Sequence, residues 1–142
     1  MDQDEFIGCC MRLMPLMMRA MLRREDNELA SGRISLPQFN VLDYLHMTGE
    51  ATMHEIAENL SLAPSNLTGI MDRLVLLKVV KRGNDDRDRR VVKACITSAG
   101  IAMLERIKEE KRATLGQLFH CITPRERAVY LSVMEKFIQE LV

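Results

Sequence analysis

Between residues 36 and 77 the apolar positions recur at helical spacing. They are Phe39, Leu42 and Leu45 in the segment 36–48, then Met53, Ile56, Ala57 and Leu60 at i, i+3, i+4 and i+7 in 53–60. After a break at Ser61-Leu62-Ala63, the segment 64–77 repeats that spacing with Leu67, Ile70, Met71 and Leu74. Start signals stand in front of each run. Ser35-Leu36-Pro37-Gln38 and Thr52-Met53-His54-Glu55 fit the capping box, in which a hydroxyl and a Glu or Gln side chain each accept one orphan N–H. Pro64 suits a first helical position, and Gly32 and Gly49 sit where helices should stop. Two short helices joined by a tight turn predict a helix-turn-helix.

The period then changes. Val79-Val80-Lys81-Arg82 reads as a strand, and 91–97 alternates, with Val92, Ala94 and Ile96 on one face. The polar stretch 83–90 between them closes a long hairpin, so the order predicts a winged helix. The chain ends return to helical spacing. Residues 5–30 carry Phe6, Ile7, Cys10, Met11, Leu13, Met14, Met17, Met18, Met21 and Leu22, with Pro15 kinking this helix or marking a fresh start. Residues 98–120 carry Ile101, Leu104, Ile107, Leu115, Leu118 and Phe119. The last helix, 124–142, follows a capping box at Thr123-Pro124-Arg125-Glu126 and carries Tyr130, Val133, Met134, Phe137, Ile138 and Leu141. These helices are more apolar than cover for so small a winged helix requires, which predicts a second copy of the chain against them. The expected fold is mainly α with a small β-hairpin (α+β). A winged helix-turn-helix over 35–97 is flanked by helical dimerisation regions at 1–34 and 98–142.

Composition narrows the setting. The chain has 142 residues and no run of about 18 uncharged apolar residues, so no membrane span is expected. Its start, MDQDEF, carries acid where a secretion signal wants Lys or Arg, which points to the cytoplasm. Cys9, Cys10, Cys95 and Cys121 make no C-x-x-C pair and read as free thiols. No nucleophile elbow, phosphate loop, H-E-x-x-H motif or paired-carboxylate site is present, so an enzyme is not expected. No cofactor is implied, and His46, His54 and His120 with the scattered cysteines form no metal motif.

Charge changes the picture more. The chain is formally neutral, with 20 basic and 20 acidic residues. Yet residues 78–93 hold seven basic residues (Lys78, Lys81, Arg82, Arg87, Arg89, Arg90 and Lys93) against Asp85, Asp86 and Asp88. Acid prevails before residue 78. A basic wing beside a helix-turn-helix is placed to meet phosphate, and a solvated loop is the alternative. On the 64–77 helix, Ser65, Gly69 and Asp72 point away from the apolar face, flanked by Asn66, Thr68 and Arg73. Asn pairs bidentately with adenine and a Thr methyl packs on thymine, so this face suits the major groove. Gly69 costs helix stability and is explained by close backbone approach or by drift.

With these residues in view, Leu60 to Gly100 resembles the MarR family of bacterial transcription regulators. The matching fragments are Ser65-x-x-Thr68, Asp72-Arg73-Leu74, Val80-x-Arg82, Asp88-Arg89-Arg90 and Ile96-Thr97-x-x-Gly100. Upstream, Gln38-Phe39-x-Val41-Leu42-x-x-Leu45 and Glu55-x-Ala57-x-x-Leu60 match as well. The resemblance implies a homodimer built by the terminal helices. Its recognition helices would enter successive major grooves, its wings would lie over the minor grooves, and it would repress nearby genes. It implies that Asp88 braces the wing while Arg90 reaches DNA, with Arg87 and Arg89 as further contacts. The family often has Arg where this chain has Gly69.

The resemblance further implies release by a small lipophilic or phenolic compound, a metal or oxidation. The Met-rich first helix suits a mouldable lipophilic pocket, or equally a Met-rich dimer core. Cys9 and Cys10 near the helix start are the redox candidates, inert thiols being the alternative. The expected function is sequence-specific binding of a pseudo-palindromic duplex operator. The alternative is a winged-helix protein-interaction module without operator recognition.

Overall fold

The computed structural model describes residues 1–23, 28–84, 88 and 90–141, apart from the side chain of Leu22. In chain order the elements are α1 (Gln3–Leu22), α2 (Leu36–Thr48), β1 (Glu50–Thr52), α3 (Met53–Asn59) and α4 (Pro64–Leu76). They continue with β2 (Val80–Asn84), β3 (Val92–Ile96), α5 (Ser98–Phe119) and α6 (Pro124–Leu141).

Reciprocal capping boxes open four of the helices. Those at Ser35/Gln38, Thr52/Glu55 and Thr123/Glu126 are the ones the sequence signals, and Asp2/Glu5 adds a fourth. Gly49 ends α2 at φ 80°, its N–H donating to the Leu45 carbonyl. The first helix differs from expectation. It stops at Leu22 instead of running to 30, and Gly32 (φ 73°) serves the turn before α2. Helix α1 continues through Pro15, which an exposed helix tolerates because water reaches the carbonyl left without an N–H.

Helices α3 and α4 both end in turns with a 6→1 and a 5→2 hydrogen bond. After α3, Leu62 N donates to Ala57 O (2.8 Å) and Ser61 N to Glu58 O (3.2 Å). After α4, Val79 N donates to Leu74 O (3.1 Å) and Lys78 N to Val75 O (2.9 Å). Each turn puts a residue in the left-handed region, Ser61 at φ 52° and Lys78 at φ 61°, where glycine is the usual occupant. The first of these turns sets the angle between the two helices of the helix-turn-helix.

The sheet has three antiparallel strands in the order β1-β3-β2, one more than the expected hairpin. Strand β1 pairs Ala51 with Ala94, and β2 pairs Arg82 with that same Ala94. Val79 belongs to the turn after α4, so β2 begins one residue later than its apolar pattern suggests and runs to Asn84. The alternating face of β3 is buried at Ala94, half-buried at Ile96 and exposed at Val92, because the hairpin leaves the core toward its tip.

The core gathers Ile34, Val41, Leu42, Leu45, Ile56, Leu67, Met71, Leu74, Leu104 and Ile107, with Phe39 only partly buried beside it. Ion pairs Asp43–Lys108 and Glu28–Arg106 fasten α5 to α2 and to the turn before it. Helix α5, expected in the dimerisation region, thus gives its first half to this core, and only α1 and α6 lie outside it. Helix α6 has no buried residue, and Phe137 and Ile138 are 57% and 58% exposed. Among the described residues no helix is long and apolar enough to cross a membrane.

Candidate nucleic-acid interface

Helix α4 turns Leu67, Met71 and Leu74 into the core, and this sets what faces outward. Ser65, Asn66, Thr68, Gly69, Asp72 and Arg73 are all exposed. The first turn has no side-chain cap at Ala63, and Pro64 at the helix start lacks an N–H. Uncapped N–H groups at a helix N-terminus favour an anion. The Thr68 hydroxyl donates to the Pro64 carbonyl (3.0 Å), which commits its proton within the helix. Any donor readout of a base by this hydroxyl would have to break that bond.

The wing stands next to this helix. Arg82 in β2 sends Nη2 to Asp72 Oδ1 (2.8 Å) and donates to the Thr68 carbonyl (3.2 Å), so one guanidinium touches α4 at two points a turn apart. The sequence marks Asp72 as outward-facing on the helix and Arg82 as part of the basic stretch, but it does not pair them. Their separation in the chain carries no periodic signal that would pair them. Lys93 in β3 pairs with Glu50 of β1 at 3.1 Å. Two of the seven basic residues of this stretch are thus matched by carboxylates from the acidic part of the chain, and the local excess is smaller than a count along the sequence suggests.

At the return of the wing, Asp88 Oδ1 accepts the backbone N–H of Arg90 (2.9 Å), and the Asp88 carbonyl accepts from Val91 (2.9 Å). The carboxylate braces the main chain of the Asp-x-Arg segment, and the Arg90 residue is exposed. Arg87 and Arg89 lie outside the described residues. At the wing base, the Thr97 hydroxyl donates to Lys78 O (2.8 Å) and accepts from Gly100 N (3.1 Å), joining β3, the turn after α4 and the start of α5.

Cys9 and Cys10 are half-buried at the seventh and eighth positions of α1. The partial charge of a helix N-terminus acts within the first turn, so it does not reach these thiols. All four cysteines are free, and the described residues hold no cluster of three or more His, Cys, Asp or Glu fit for a metal. Between α1 and α5 lies an apolar cavity of about 420 Å³ lined by Leu13, Leu16, Met17, Ala20, Met21, Thr114 and Leu118.

A three-stranded sheet that continues a helix-turn-helix into a wing, between long terminal helices, defines a winged-helix regulator. Residues 34–92 match the model of the MarR family. The uncharacterized HTH-type transcriptional regulator YpoP of Bacillus subtilis (strain 168) is 30% identical over 115 residues, covering 81% of this chain and 82% of that protein. The HTH-type transcriptional repressor MdtR of the same organism is 28% identical over 102 residues, covering 72% of this chain and 66% of that one. Among solved structures, a cysteine-to-serine mutant of MarR from E. coli complexed with operator DNA superposes with a TM-score of 0.69. It is 25% identical, and the alignment covers 96% of this chain and 99% of that chain. The chain belongs to the MarR family, and it is a transcription regulator and not an enzyme.

Proposed function

We propose that the chain acts in the cytoplasm as a homodimeric repressor of a pseudo-palindromic duplex operator, released by a small lipophilic molecule or an oxidant. The observation that carries the DNA reading is the juxtaposition of an uncapped, outward-facing α4 with a wing whose Asp88 braces the main chain of Arg90. Ser65, Asn66 and Thr68 read base edges in the major groove, and Arg73 adds a contact further along α4. Arg90, with Arg87 and Arg89, contacts the flanking minor groove or phosphates. MarR and MdtR, whose names speak of operator DNA and repression, support the same reading by likeness.

Region 35–97 supplies DNA binding, while 1–34 and 98–142 bring two copies together. The exposed apolar faces of α1 and α6 support this. Phe6, Met14, Phe137 and Ile138 are each about half exposed or more, and a lone chain has no reason to leave such a surface in water. The α1–α5 cavity supports a lipophilic effector, since Met17 and Met21 adapt their shape to a ligand. Cys9 and Cys10 are the thiols an oxidant would meet on α1.

Selection of bound duplexes from random DNA tests this. We expect a two-fold symmetric sequence with half-sites about one helical turn apart. Arg90→Ala should weaken binding and leave the dimer intact. Retained operator affinity in that variant would remove the wing role. Absence of binding to any duplex, even at low salt, would favour a protein-interaction module instead.

A further inference from the structure

We propose that Arg82 is a positioning residue: it sets the wing against the recognition helix α4 and neutralises Asp72. The inference rests on the DNA-binding reading for its purpose, though its geometry stands without DNA. Arg82 is held at both ends. Its backbone pairs with Ala94, which is buried and in turn paired with Ala51, so it lies on a ladder crossing all three strands. Its guanidinium bonds the Asp72 carboxylate and the Thr68 carbonyl, one helical turn apart on α4. Within a regular helix the Thr68 carbonyl already accepts from Asp72 N–H, so Arg82 engages it as a second donor.

An isolated exposed ion pair adds little to stability. This one differs in what it joins, because the Arg82 side chain is 29% exposed while the Asp72 side chain is 63% exposed. The arginine side chain is the better covered of the two, and the aspartate is left on the outward face. An acid there, with no partner, would oppose a phosphate backbone. Paired with Arg82, it presents no net charge, and the same bond fixes where the wing stands relative to the bases that α4 reads. Binding of two sites on one protein surface to one duplex requires that spacing to be set beforehand.

The competing role for Arg82 is a direct phosphate contact, and charge bookkeeping separates the two. The full chain would be prepared as wild type, Arg82→Gln, Asp72→Asn and the double variant. Amide hydrogen exchange without DNA comes first. Each single variant should exchange several-fold faster in β2 and β3, and the double variant no faster than either single, because both changes break one link. Unchanged wing exchange in both single variants would overturn the proposal. Binding to a random-sequence duplex over a salt series follows. Arg82→Gln leaves an unpaired acid and should weaken binding. The double variant, neutral at both positions, should recover the wild-type salt slope. A double variant whose slope stays lower by about 0.9 would make Arg82 a phosphate contact and also overturn the proposal. A wild-type chain that binds no duplex would instead sink the DNA-binding reading, and the exchange measurement would still judge the link between wing and helix.

Discussion

Gly100, in the first turn of α5, faces Val79 so closely that an added β-carbon would stand 2.2 Å from the Val79 carbonyl oxygen and 2.7 Å from Ile96 Cγ1. The contact lets α5 start directly against the turn after α4. Its neighbour Thr97 bonds that turn through both its N–H (to Val79 O, 3.0 Å) and its hydroxyl. The wing base therefore has no slack. Gly100→Ala gains helix propensity but forces backbone apart, and strain wins. We expect a loss of about 3 kcal/mol, at the upper end for overpacking, read as a lower urea midpoint with unchanged m.

Lys78 holds the left-handed position that closes α4 (φ 61°). Lys78→Gly should stabilise the chain by about 0.5–1 kcal/mol, since relief of the strain outweighs the added freedom of the unfolded state. Lys78→Ala keeps the strain and should leave the midpoint where it was. Equal midpoints for the two variants would show that the turn carries no such strain.

Gly69 is the opposite of Gly100, because an added β-carbon would meet nothing within 4 Å. Packing within the chain does not require glycine there. Gly69→Ala should raise helix stability by about 1 kcal/mol while weakening binding to the selected operator, as a methyl group enters the outward face. A stabilised variant with unaltered operator affinity would exclude close backbone approach at this position.

Glu55 and Glu126 accept first from the backbone N–H and then from the hydroxyl of Thr52 and Thr123, respectively, and these bonds lower both carboxyl pKa values below the ordinary 4.5. A carboxylate with a lowered folded-state pKa contributes stability above its unfolded value and loses it as pH falls through the folded value. The contribution from these two caps should therefore fade below pH 4.5. Urea midpoints measured from neutral to acid pH should fall less steeply in Glu55→Gln and Glu126→Gln than in the wild type. An acid limb of the same slope in both would detach the caps from acid stability.

The exposed face of α6 gives a test of assembly. Phe137→Asp places a charge among Val133, Met134 and Ile138 and should yield a single-copy species in sedimentation. The core around Leu42, Leu67 and Leu104 should keep its near-native unfolding midpoint in that species. A variant that still sediments as two copies would move the contact away from α6.

What could be read along the chain was local. Ser35, Thr52 and Thr123 announced their helices because a capping box lies within four residues. The inward faces of α3 and α4 followed from period alone. Strand β1 was hidden, since Glu50-Ala51-Thr52 owes its conformation to β3, more than forty residues away. The end of α1 was hidden too, because the polar run 23–28 that follows Leu22 holds no Gly or Pro, and Gly32 was the first stop signal the chain offered. At the interface, the outward residues of α4 were legible from the inward ones. The pairing of Arg82 with Asp72 was not, because it depends on how the sheet meets the helix and not on any spacing in sequence.

Helix α6 is 18 residues long and buries none of them. Most of a helix's stability in a protein comes from packing an amphipathic face. Under the two-copy reading the order of α6 depends on how often a second copy is at hand, and the abundance of the regulator becomes one of its own inputs. A cell holding few copies would have chains with loose ends, open to proteolysis and poor at bridging two half-sites. Doubling the supply would more than double the competent pairs, giving repression a threshold that neither the recognition helix nor an effector has to provide.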